Sequence, residues 1–411
     1  MDALAAVEAL LSPEGRSDPF PYYAALHEHG PVISLSDSYT VVVGYDALGR
    51  ALRDPVLREE GVEWVQLRWP DVADHPAVRL FSDSMLFSGD PGHARVRRLV
   101  SKVFTARRVA ELAPAVERLT DRLLDRLAEL GSDGSPVDFM AKFAYALPVS
   151  VICELLGVPE QDRLWFRPLV ADLAAQLEPV YSTEHLAAAD AAAVSLLDYF
   201  TALVAERSAE PRDDLVSALV QVRDEDDGRL SDWELLCNLV LLLAAGFETT
   251  TNLLGNGLAL LLDQPGRCEA LRADPSAASA YVEEFLRFDS PVQLTARWAP
   301  EGAVVDGVVV PPGGEVLLLM GAANRDPARF ERPDVFDPER PANQPLSFGG
   351  GPHFCLGAAL ARLEGRTAFG RLLERFPRME AADGRTRRDR LTLRGYASLP
   401  VALASAAGGG Q

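Results

Sequence analysis

The chain has 411 residues, of which 48% are hydrophobic, 24% charged and 8% aromatic, the profile of a folded globular protein rather than a disordered or fibrous one. Its 40 basic residues against 60 acidic ones give a net charge of −20, which argues against nucleic acid or an anionic membrane as the main partner, because such binders carry a basic run or net positive charge. Four scattered cysteines, Cys153, Cys237, Cys268 and Cys355, without a CxxC pair or a secretory signal, argue against a disulfide framework or structural zinc and lead us to expect a reducing, cytoplasmic compartment.

In chain order, residues 32–43 alternate in part around Ser36-Asp37-Ser38, a strand pattern. Residues 61–86 hold Trp64, Trp69, Pro70, His75 and Pro76 without periodicity and read as a long loop of the lid or binding type. Apolar residues at i, i+3, i+4 and i+7 predict helices over 109–130, 189–207, 232–262 and 358–376. Short loops are expected at 131–136 and 224–228. The longest apolar run, 239–247, is far short of the ~20 residues of a membrane span. Asp306-Gly307 between two valine pairs signals a hairpin over 303–310. Together these predict a mainly α protein with small β-sheets. No Pro/Gly/Ser-rich linker cuts the chain, so 1–403 is expected to form a single domain, with 404–411 a disordered tail.

Four segments carry chemistry. Phe348-Gly349-Gly350-Gly351-Pro352-His353-Phe354-Cys355-Leu356-Gly357 leads straight into the helix predicted from 358. A cysteine at a helix mouth has its thiolate favoured by the dipole and by unpaired backbone N–H groups, and the glycines let the backbone pass close to something flat. The ordinary alternative is a core cysteine after a turn. A phosphate loop fits poorly, since GxGxxG spacing fails and Pro352 removes a donor. In the second segment, 241–252, Glu248 and the hydroxyls of Thr249, Thr250 and Thr251 interrupt an apolar helix. A buried carboxylate costs several kcal/mol unless paired or hydrated, so Glu248 either has a partner or faces solvent. Third, Glu284 and Arg287 share a helix face, a spacing that contributes only ~0.2–0.5 kcal/mol at a surface. Fourth, His93 and Arg97 share a face at i, i+4, ordinarily a solvated one.

Segment 348–357 resembles, position for position, the haem-binding loop FGxGxHxCxG of the cytochrome P450 family. The resemblance runs from Asp18-Pro19-Phe20-Pro21-Tyr22 to Tyr396-Ala397-Ser398-Leu399-Pro400-Val401, with the signature segments in family order. It implies that Cys355 is the axial thiolate ligand of a haem b iron, His353 contacts a propionate, and Phe348, Gly349 and Ala245 border the haem. A thiolate pushes electron density to iron and favours O–O cleavage. Ala245-Gly246-Phe247-Glu248-Thr249-Thr250 resembles the family's oxygen-binding helix, with Glu where many relatives have Asp. Glu248 and Thr249 are thereby implied as the acid–alcohol pair that relays protons during dioxygen activation. Glu284-Phe285-Leu286-Arg287, with Phe336-Asp337-Pro338-Glu339-Arg340, resembles the ExxR motif and its later arginine, a structural triad of Glu284, Arg287 and Arg340. His93, Arg97 and Arg297 stand where the family binds propionates.

The family fold places the haem between the central long helix and the cysteine-loop helix. The implied activity is O2-dependent hydroxylation or epoxidation, with electrons from NAD(P)H through a ferredoxin reductase and a ferredoxin. The latter would dock on a basic face including Lys102, Arg107, Arg108, Arg362 and Arg366. A monomer is expected, with neither nucleic acid nor membrane as partner. The loops implied to line the substrate pocket are 61–87, 165–185, 291–294 and 396–398. Candidate lining residues are Trp64, Leu86, Phe87, Glu178, Leu241, Ala244, Ala245, Val292, Leu294, Tyr396 and Ala397, a mainly apolar set suited to a large hydrophobic molecule. A polyketide or macrolide secondary metabolite is the leading expectation; a carrier-bound acyl or aminoacyl group, a terpene and a xenobiotic are the alternatives. Two contrasting classes fit less well. A Cys355–His353 nucleophile dyad is opposed by i, i+2 spacing, which diverges on any regular element. A non-catalytic haem protein would not need the Glu248–Thr249 pair.

Overall fold

The computed structural model describes residues 1–179, 182–225 and 230–404. Its centre is the helix Asp232–Asp263, which Ser231 starts through a capping box: its hydroxyl accepts from the Glu234 N–H, and the Glu234 carboxylate accepts from the Ser231 N–H. Leucine and alanine on all its faces leave it buried over most of its length. The helices Ala146–Leu156, Thr183–Ala209, Ala278–Phe288 and Ala358–Arg375 pack around it, and one apolar cluster including Phe247, Leu254, Phe285 and Phe369 joins them. Both Thr183–Ala209 and Asp232–Asp263 are long and apolar enough to cross a membrane, but the most apolar window of the second is 72% buried within the fold, as in a core helix.

A four-stranded sheet lies beside this bundle, in the order Val32–Ser36, Tyr39–Val42, Gly314–Leu318, Thr295–Ala299. The two middle strands run parallel and the outer pairings are antiparallel. Asp306 (φ 49°) and Gly307 (φ 87°) turn the hairpin of Ala303–Val305 and Val308–Val310, as a two-residue turn requires of both central positions.

Several predicted boundaries differ. Residues 61–86 are not one loop but the helices Val62–Arg68 and Pro76–Ser82 with a 3-10 turn Pro70–Val72 between them. Pro70 and Pro76 sit at the first helical position, where proline starts a helix rather than breaking it. The helix expected over 109–130 is two, Ala106–Glu111 and Ala113–Leu130, interrupted at Leu112 just ahead of Pro114, which has no N–H to continue the helical bonding to the Ala110 carbonyl. Ala404, expected as the first residue of the tail, instead pairs with Arg378 as the last described strand residue. Residues 405–411 and most of the 224–228 loop lie outside the described residues.

Candidate functional site

Glu284 and Arg287 are not a surface pair. Both side chains are 0% accessible, joined by two bonds of 2.7 and 2.8 Å. Arg287 donates further to the carbonyls of Asn324, Pro333 and Val335, while Glu284 accepts from the Asp337 N–H and the Asn343 amide. Arg340 lies 3.7 Å from Glu284 and donates to the carbonyls of Arg332 and Val335. Asn324 and Ser347 carry the network on: the Leu346 N–H donates to Asn324, and the Ser347 hydroxyl to the Leu286 carbonyl. The helix Ala278–Phe288 is thus bonded to the start of the cysteine loop.

Within that loop Gly349 (φ 69°) and Gly351 (φ 64°) adopt left-handed backbone, and a Cβ on Gly351 would lie 2.4 Å from the Leu52 carbonyl oxygen; both positions require glycine. The Cys355 N–H donates to the Phe348 carbonyl at 2.9 Å, just before the helix Ala358–Arg375. Burial pushes the Cys355 thiol up, and the backbone N–H groups of Gly357 and Ala358, with Arg97 and Arg362, pull the other way. Arg97 also donates to the Phe354 carbonyl at 2.6 Å.

Beside the loop the structure brings His93, His353 and Arg297 together. The two imidazoles stack, centroids 3.7 Å apart. His93 is 2% accessible, yet neither ring nitrogen has a hydrogen-bond partner, and burial, reinforced by His353, pushes it down to about 4. Arg297 is buried, and Glu59, which sequence reasoning missed, reaches both Arg297 Nε (3.2 Å) and His353 Nε2 (2.9 Å). An orphaned buried imidazole beside two arginines and a cysteine loop suits a flat cofactor with acidic arms, so the residues fit a haem.

On the central helix, Ala245 is exposed and Gly246 and Thr249 are partly so, while Leu241–Ala244, Phe247 and Glu248 are buried. That face therefore borders an opening. Gly246 permits close packing there, since a Cβ would lie 2.9 Å from Ile152 Cδ1. The Thr249 hydroxyl donates to the Ala245 carbonyl at 2.8 Å. Glu248 has partners, as its burial demands: Oε1 accepts from Arg388 and, at 3.3 Å, from Arg390, while Oε2 is buried without a partner. Arg388 also donates to the Tyr145 hydroxyl, and Arg390 to the Ala171 carbonyl at 2.7 Å. These arginines were invisible as site residues because 140 and 142 positions separate them from Glu248.

Three pocket expectations are corrected. Glu178 does not line an apolar wall: its carboxylate accepts from the backbone N–H groups of Leu391, Thr392 and Leu393 at 2.8–3.1 Å. Tyr396 is a core residue beside Gly255 of the central helix, where a Cβ would lie 3.8 Å from its ring, and under Arg387. Ala397 is exposed within a strand, Tyr396–Ser398, that pairs with Thr386–Arg387. The segment that meets Pro291 and Val292 is Leu393–Arg394, through the Leu393–Val292 bridge and the Arg394 N–H on the Pro291 carbonyl. Of the remaining candidates, Leu241, Ala244 and Leu294 are buried, Trp64, Phe87 and Val292 partly buried, and Leu86 exposed. In the proposed basic face, Arg107, Arg108 and Arg362 are paired with Glu111, Asp213 and Glu283, and Arg362 also covers the Phe348 ring.

A family model described as Cytochrome P450 matches residues 22–400. The chain is 41% identical over 400 residues to 6-deoxyerythronolide B hydroxylase of Saccharopolyspora erythraea, covering 94% of this chain and 96% of that protein. It is 41% identical over 398 residues to Vitamin D(3) 25-hydroxylase of Pseudonocardia autotrophica, covering 94% of each. The ligand-free structure of CYP164A2 from Mycobacterium smegmatis matches with a TM-score of 0.88 at 38% identity, over 97% of this chain and 99% of that one. The chain belongs to the cytochrome P450 family. It is a haem-thiolate monooxygenase that uses dioxygen.

Proposed function

We propose that this monooxygenase hydroxylates or epoxidises a large, mostly apolar secondary metabolite of the polyketide or macrolide kind. Two relatives are by name hydroxylases of 6-deoxyerythronolide B and of vitamin D(3), both large and largely apolar, and Leu241, Ala244, Leu294 and Phe87 offer apolar surface near the central helix. Cys355 is the proposed thiolate ligand, with His93, Arg97, Arg297 and His353 on the propionates and Ala245, Phe348 and Gly349 against the macrocycle. The observation that carries this assignment is the orphaned His93 within a cluster of cations next to the cysteine loop. When bound, the haem supplies the redox centre at which dioxygen is activated and one oxygen atom transferred.

The chain's own residues handle the protons. Glu248, with Oε2 unpartnered, takes up a proton and passes it to the Thr249 hydroxyl on the accessible face of the helix, while Arg388 and Arg390 hold the acid in place. Electrons are proposed to come from NAD(P)H by way of a ferredoxin reductase and a ferredoxin, to a single-domain cytoplasmic monomer. The test is a titration of the purified ferric enzyme with 6-deoxyerythronolide B and vitamin D(3), followed by turnover with ferredoxin, reductase and NAD(P)H. A Soret shift with either compound and a product one oxygen atom heavier are expected. A shift seen only with a carrier-bound acyl thioester would reject the free-metabolite reading.

A further inference from the structure

We propose that Glu59 acts as a third carboxylate in the haem-propionate cluster, competing with the cofactor for Arg297 and His353 and so weakening haem retention. The proposal rests on the assignment of the propionates to His93, Arg97, Arg297 and His353.

Glu59 is not a surface acid that wandered in. The neighbouring Arg58 exchanges both backbone hydrogen bonds with Trp298, at 2.8 and 2.9 Å, and the Trp298 indole donates to the Glu59 carbonyl at 3.1 Å. That pairing fixes Glu59 beside the strand Thr295–Ala299, which carries Arg297. Its side chain is 11% accessible, and those of Arg297 and His353 are 7% and 13% accessible. Burial raises its carboxyl, but the bonds to His353 and Arg297 outweigh that and leave it below the usual carboxylate range, so it stays charged at neutral pH. Its neighbour Glu60 behaves oppositely, pushed up to about 8 by burial and then by Glu315, and adds little negative charge.

The charge arithmetic then decides the direction. Arg97 and Arg297 are the permanent cations of the cluster, since a guanidinium stays charged in any protein surroundings. Two propionates balance these two arginines, and the Glu59 carboxylate makes a third anion competing for the same donors. In a buried site an anion short of its counter-charge is costly. Removing the Glu59 charge should therefore favour the propionates, and because a nearby anion stabilises the more positive ferric state over the ferrous one, its loss should also raise the potential.

The holoenzyme variant Glu59→Gln keeps the side-chain shape and removes the charge. Glu63→Gln, which removes an exposed acid near Arg58, controls for net charge. Haem transfer to excess apomyoglobin, followed at the Soret band, and a ferric–ferrous redox titration are the readouts. Haem transfer from Glu59→Gln should be slowed about tenfold, with a positive shift in potential, while Glu63→Gln behaves as wild type. Haem loss from Glu59→Gln at the wild-type rate or faster overturns the proposal. The ferrous–CO spectrum of the same samples separates this from the cofactor assignment, since Glu59→Gln leaves Cys355 untouched and retains the thiolate band.

Discussion

The Glu284–Arg287 pair and the His93–His353 cluster are both buried sets of ionisable groups close to the cysteine loop, yet they are built in opposite ways. All five donors of Arg287 and both oxygens of Glu284 have partners. His93, equally buried, has none. Buried polar groups in folded proteins are nearly always satisfied, so complete pairing marks a device that holds the fold, and incomplete pairing within a cluster of charged groups marks a place where something else binds or reacts. Glu248 combines the two, with one oxygen anchored by two arginines and the other free.

The largest expected effect comes from breaking the complete network. Arg287→Ala leaves Glu284 buried without its main counter-ion, with only Arg340 remaining at 3.7 Å, a loss on the order of 3–5 kcal/mol, against a total stability of about 5–15 kcal/mol for a typical domain. We expect little or no folded haem protein from this variant; wild-type haem content and Tm would show that the pair is not structural. A smaller effect is expected at the half-paired site. Thr249→Ala should preserve the spectrum and Tm but lower product formed per NAD(P)H by roughly tenfold or more, with the electrons recovered as peroxide. Unchanged coupling would remove Thr249 from the relay.

How much of this contrast was legible in the sequence depends on chain distance. Cys355 with its glycines, the Ala245–Thr250 order and Glu284–Arg287 are contiguous motifs, and the helices that carry them follow from apolar periodicity. The partners that give those motifs their physics are remote: Arg388 and Arg390 for Glu248, Glu59 for Arg297, and Asn324, Asn343 and the Asp337 N–H for the Glu284 network. No local spacing announces them. The misplacement of Tyr396 and Ala397 has the same cause, because only strand pairing shows that residues 391–394, and not 396–398, reach the 291–294 segment. The helices within 61–86 were missed for a different reason, since two prolines that look like breakers occupy helix-starting positions.

His93 sharpens the comparison through pH. Its imidazole is depressed from 6.5 to about 4 in the folded chain, so the unfolded state binds more protons across that interval and stability falls as pH drops through it. In haem-free protein, Tm should decline between pH 6.5 and pH 4, and His93→Phe should flatten that decline; identical slopes would show that His93 is not buried as described. The smallest effect is expected from Glu364, a buried carboxyl with an unpartnered Oε2 and, among the described residues, no charge that shifts it. Burial pushes its carboxyl well up and favours the neutral form, and Glu364→Gln should leave Tm and the haem spectrum nearly unchanged. A large spectral change there would mean that this acid serves the haem pocket as well.

The account centres on Cys355 as the thiolate ligand, and the visible spectrum of the reduced, carbon monoxide-treated enzyme tests it most directly. Wild-type protein should show the strongly red-shifted Soret band of thiolate-ligated haem, and Cys355→Ser should lose that band while keeping its helical content. A Cys355→Ser protein that retained the band, or a wild-type protein that bound haem without showing it, would contradict the assignment.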